Sequence, residues 1–143
     1  MKTNKELVEE YLEIHQDLKK VCYDLSIHFF EVCRKHSISH LFYDLSSRNF
    51  EDLEFNWDGE GFNIGYTSWY ASEDSRYFNH FTEEEISNPE LIQKKVDLSV
   101  EKQKQQNLLR EKMEEDLKNK TLQQERELYL KLKQKYESNN SEE

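Results

Sequence analysis

Cys33, His36 and His40 stand three and four residues apart, a spacing that would put three metal ligands on one side of a continuing helix. A closed zinc site needs a fourth ligand, commonly from paired Cys or His motifs, and no cysteine follows Cys33. The expectation is therefore no metal and no cofactor. The thiols also fail as nucleophiles, because Cys22 and Cys33 lie within or beside an apolar helical seam, where a thiol is a small, unreactive core residue. Gly59-x-Gly61 reads as turn chemistry rather than a phosphate loop, since a strand pattern follows it and not a helix N-terminus.

No G-x-S-x-G elbow, P-loop or H-E-x-x-H occurs in the chain. His80-Phe81-Thr82 imitates the H-x-T element of two-histidine phosphoesterases, but His36-Ser37-Ile38-Ser39 does not supply the second copy that this chemistry requires. Carboxylates are plentiful, yet none is visibly paired for acid–base work. No catalytic residue is assigned and the chain is expected not to be an enzyme.

Binding chemistry has better material. Trp57, Trp69, Tyr70 and Tyr77, with Arg76 between them, exceed what one buried face of a small sheet needs. Alternation puts Trp69 opposite in phase to Ile64, Tyr66 and Tyr70. Beside them Glu54, Asp58 and Glu60 belong to an acidic cluster that includes Glu51, Asp52, Glu73, Asp74 and Glu83 to Glu85. These eight residues, Trp57, Trp69, Tyr70, Arg76, Tyr77, Glu54, Asp58 and Glu60, form the candidate binding surface. The second sheet face is expected to be covered by the C-terminal helix, the alternative being an open groove for a partner or a stacked base.

Three kinds of segment must position these residues. A capping box, Thr3-x-x-Glu6, opens a helix predicted from about Asn4 to Lys35. Leu7, Tyr11, Ile14, Leu18, Val21, Leu25, Phe29, Val32 and His36 form its seam at steps of four and three. Residues 37–49 read as a connector. Leu53, Phe55 and Trp57 then alternate with polar residues, residues 58–61 turn, Phe62 to Tyr70 alternate again, and residues 76–81 make a third strand after a polar turn at residues 72–75. Thr82-x-x-Glu85 caps a short helix. Asn88-Pro89 starts a long one, which holds no further Pro and no Gly and would run roughly 70 Å. The fold class is α+β: a long N-terminal helix on a three-stranded antiparallel meander, followed by a long charged helix.

The chain has 143 residues, 30 acidic and 20 basic, for a net charge of −10. Residues 1–87 hold 18 acidic and 8 basic side chains, while residues 88–143 hold 12 of each, so the acidity belongs to the body. The predicted division is an acidic body over 1–87, a helix over 88–137 and a disordered tail over 138–143. Apolar residues of the last helix fall into patches: Leu91, Ile92, Val96 and Val100, a docking face, then Leu109, Met113 and Leu117, then Leu128, Leu132 and Tyr136. The last two patches are the candidate oligomerisation residues, in the manner of an imperfect coiled coil, the alternatives being a helix packed back on the first one or left free in solvent.

Net negative charge argues against direct nucleic-acid binding. No apolar run is long enough for a membrane span, the first ten residues lack an apolar signal region, and two cysteines suit a reducing cytoplasm. The partners expected are a second copy of the chain, as homodimer or higher oligomer, and a basic protein. The alternatives are an acidic mimic of nucleic acid and a nucleotide-sequestering aromatic sheet.

The order of parts, with Leu53-Glu54-Phe55-Asn56-Trp57-Asp58-Gly59-Glu60-Gly61 leading to Trp69, Tyr77 and Phe81 and then a Lys/Glu/Gln helix, resembles small proteins of tailed phages and other mobile elements. No agreed activity comes with that group. The resemblance implies a setting, the cytoplasm of an infected bacterium, and host-defence inhibition as a role.

Overall fold

In the computed structural model, residues 1–70 and 73–141 are described, with backbone alone at 70, 73, 74, 140 and 141. The order is helix α1 (Asn4–Lys35), a 3-10 turn (Phe50–Asp52), strands β1 (Glu54–Trp57), β2 (Gly61–Tyr70) and β3 (Glu73–Thr82), and helices α2 (Glu83–Ser87) and α3 (Glu90–Ser141). The strands form one antiparallel sheet in the order β1-β2-β3. The α+β class follows, and both capping boxes form as the sequence predicts.

Two compact units divide the chain, Met1–Val100 and Glu101–Glu143. The division falls beyond the boundary expected at residue 87, because Ile92 and Val96 of α3 have no exposed surface and belong to the body's core. Leu91 and Val100 beside them are half-buried. In the second unit α3 continues to Ser141, four residues into the tail expected to be disordered.

The core draws on every part of the first unit. Cys22, Phe29 and Cys33 of α1 meet Ile38 and Leu45 of the connector, Leu53, Ile64, Phe81, Ile92 and Val96. On α1 the buried stripe is Lys19, Cys22, Ser26, Phe29 and Cys33, turned by one residue from the seam expected through Val21 and Leu25. Small Cys and Ser side chains let neighbours approach there, and the Ser26 hydroxyl is satisfied by donating to the Cys22 carbonyl at 2.8 Å. Toward the N-terminus the expected seam stays open: Leu7, Tyr11 and Ile14 are all more than half exposed.

The connector is irregular but not loose. Both amide atoms of Asn79, which is buried in β3, grip the backbone of Tyr43: Oδ1 accepts from its N–H at 2.7 Å and Nδ2 donates to its carbonyl at 3.1 Å. The third strand begins at Glu73, earlier than expected, since its register with β2 runs to Tyr70 opposite Glu73. Of the turn expected at residues 72–75, residues 73–75 belong to this strand, and residue 72 lies outside the described residues. Along α3 Lys133 and Glu137 form an exposed ion pair at 4.0 Å. Exposed pairs of this kind contribute little, so solvation competes easily with them.

Candidate functional site

The metal-spaced residues are separated by the way α1 ends. Ser37 has a φ of 58°, Ile38 N–H donates to the Cys33 carbonyl at 2.8 Å, and Ser37 N–H donates to that of Arg34 at 3.1 Å. This Schellman turn takes His40 off the helix. Cys33 is enclosed while His36 and His40 are exposed, and among the described residues no three His, Cys, Asp or Glu side chains cluster as ligands. Burial pushes the Cys22 thiol up to about 12 and raises that of Cys33 as well. His80, Phe81 and Thr82 each serve the fold: His80 makes a cross-strand hydrogen bond, Phe81 fills a core position and Thr82 caps α2.

The sheet has two unlike faces. Alternation from the register puts Phe55, Trp57, Phe62, Ile64, Tyr66, Tyr77, Asn79 and Phe81 on the face that meets the core. The opposite face carries Glu54, Asn56, Asn63, Thr67, Trp69, Arg76, Phe78 and His80, and it is open. Trp69 is 76% exposed there. The first turns of α3 thus do not cover the second face, because their apolar docking residues are engaged in the core on the first.

The candidate binding residues consequently do not form one surface. Trp69 and Arg76 share the open face, where the Arg76 guanidinium lies 4.8 Å from the Phe78 ring centroid. Glu54 is exposed on that face as well. Tyr77 is on the core face, stacked 5.1 Å from Tyr66 and meeting Tyr43 edge-on at 5.4 Å. Trp57 sits at the rim of the core face, half exposed against Phe62 at 4.9 Å. Glu60 is exposed in the hairpin turn. The Tyr70 side chain lies outside the described residues.

Asp58 holds that turn together. Its Oδ1 accepts from the N–H groups of Glu60 and Gly61, both at 2.9 Å, and its Oδ2 accepts from Asn63 Nδ2 at 2.9 Å. Asn63 Oδ1 lies 2.9 Å from His80 Nδ1, continuing a polar ladder in which Asn56, Asn63 and His80 are register neighbours across three strands. The Asn63 bond, the two backbone donors and the nearby His80 hold the Asp58 carboxyl at about 2. Gly59 supplies the turn's positive φ of 95°, and a Cβ on Gly61 would lie 2.8 Å from the His80 ring. This carboxylate is engaged in folding the hairpin.

A cavity of about 550 Å³ lies where the first half of α1 passes β1, lined by Tyr11, Ile14, His15, Leu18, Phe55, Asn56, Trp57 and Phe62. His15 meets the Phe55 ring edge-on at 5.0 Å, and Phe55 stacks on Phe62 at 5.3 Å. Sequence reasoning misses this groove. Its signal is present, because the apolar stripe of α1 is narrow before Leu18 and widens only after it.

In the second unit, Leu109, Met113, Leu117, Leu128, Leu132 and Tyr136 are all exposed. At 3.6 residues per turn Leu128 stands about 100° round the helix from Leu109, so the two patches face different ways. No helix is long and apolar enough to cross a membrane among the described residues. Set against protein-family models, curated proteins and solved structures, the chain matches none.

Proposed function

We propose that this chain is a non-catalytic binding protein that acts through protein–protein contacts and associates with itself through α3. The observation that carries the reading is the unpartnered apolar surface of the second unit. Leu109, Met113 and Leu117, each near 60% exposed, make a stripe along one side of a predominantly polar helix. The Lys, Glu, Gln and Leu of this helix favour it intrinsically, and an exposed apolar stripe on such a helix is a surface for a partner.

Light scattering of the full chain tests this directly. Wild type is expected at twice the monomer mass or more, and Leu109→Asp with Met113→Asp and Leu117→Asp is expected to lower that mass, because it buries charge in the contact. All three positions are exposed, so the first unit's fold is unaffected. Equal masses for the two proteins would refute the reading.

A further inference from the structure

The groove between α1 and β1 is apolar within and acidic at its edge. From Glu6 to Asp17 the chain has five carboxylates and no Lys or Arg. On a helical wheel Tyr11, Ile14 and Leu18 face the groove, while Glu6, Glu10, Glu13 and Asp17 fall together on the side away from His15, the residue that meets β1. Glu6 is occupied by the α1 cap and Glu10 by Lys2. Glu13 and Asp17, four residues apart, are exposed and stand in no ion pair among the described residues.

One stretch of the same chain has the opposite character. Residues 128–136 contain three lysines and no acid. Leu128, Leu132 and Tyr136 form one stripe, with Lys131 and Lys135 four residues apart along its edge. Lys133 is held by Glu137, whereas Lys131 and Lys135 stand in no ion pair among the described residues. The match is therefore twofold: an apolar stripe of about two and a half turns for an apolar groove, and a lysine pair at the same spacing as a carboxylate pair. The mode is a helix laid in a groove.

We infer that the α1/β1 groove receives residues 128–136 of a second copy, with Lys131 and Lys135 facing Glu13 and Asp17. This rests on the proposed self-association and assigns the distal patch of α3 a different partner surface from that of the proximal patch. The mean directions of the two patches differ by about 100° round the helix, which favours such a division. A single docked segment of nine residues buries less than the ~800 Å² per partner of a stable interface. Two reciprocal contacts about a two-fold axis bring the total into that range.

Charge reversal tests the pairing in the full chain. Glu13→Lys with Asp17→Lys, and separately Lys131→Glu with Lys135→Glu, are each expected to weaken association about tenfold or more. Mixing the two reversed proteins restores affinity to within a few-fold of wild type, because each now complements the other. Circular dichroism establishes that both remain folded, and Tyr11→Lys, at an exposed ring in the groove, gives an independent loss. If wild type is monomeric throughout, self-association fails and this assignment with it. If wild type associates but neither reversal weakens it, or the mixture stays dissociated, the groove assignment alone is overturned.

Discussion

Replacing Phe81 with alanine is expected to cost about 3–5 kcal/mol of unfolding free energy, the range for truncating an enclosed aromatic side chain. Phe81 has no exposed surface. Its ring stacks 6.0 Å from Phe42, which in turn lies 6.0 Å from Phe29. These rings come from β3, the connector and α1, so the void opens where three segments meet and none can close it alone. Trp69, also in the sheet but on the open face, is the contrast. Its replacement by alanine is expected to change stability by less than about 0.5 kcal/mol. Guanidinium denaturation of the two variants measures the difference, and comparable losses would overturn the assignment of the buried face.

A second large loss, about 2 kcal/mol at neutral pH, is expected for Glu85→Ala. The Glu85 carboxylate is nearly enclosed; it accepts from Thr82 N–H at 3.1 Å to close the α2 capping box, and from Lys95 Nζ at 2.9 Å. Losing a cap costs about 1 kcal/mol. The ion pair adds less than its burial suggests, because the Lys95 side chain is 61% exposed and water screens that end. Burial alone would raise the Glu85 carboxyl, but the Lys95 hydrogen bond and charge and the Thr82 bonds outweigh it and hold it below the ordinary 4.5.

The pH dependence follows in sign. The unfolded chain takes up this proton more readily than the folded one, so the stabilisation is complete above the ordinary carboxyl range and is lost as pH falls through the lowered folded value. Melting temperatures from neutral pH down to about pH 3 test it. Glu85→Gln is expected to start below wild type and to lose less on acidification. Parallel curves would remove the ion pair from the account.

Much of the architecture is legible in the sequence. Thr3 with Glu6, the unbroken seam, the alternation across residues 53–70 and Asn88-Pro89 are local signals, each encoded within a few residues of where it acts. The hairpin turn belongs with them, since Asp58, Gly59 and Gly61 supply its acceptor, its positive φ and its room. Legibility fails where an outcome depends on residues far apart in the chain. Whether the α1 stripe is covered near Tyr11 depends on where β1 passes, and which sheet face is buried depends on where Ile92 and Val96 dock. For the same reason Tyr77 and Trp69, eight residues apart and both aromatic, read as one surface in the sequence although they lie on opposite faces. The proposed pairing of residues 13–17 with 131–135 likewise rests on the groove, which only the packing of α1 beside β1 creates.

The grip of Asn79 on Tyr43 makes the order of one segment conditional on another. It closes a chain loop of 36 residues with a single side chain, and the entropy of that closure is offset only when β3 is already in place. The connector and the third strand are therefore expected to open as one cooperative unit. Native-state amide exchange reads this in the Tyr43 N–H, whose protection should follow that of the β3 amides. A connector that looks like passive linkage thus reports, through one amide proton, on whether the edge of the sheet is closed.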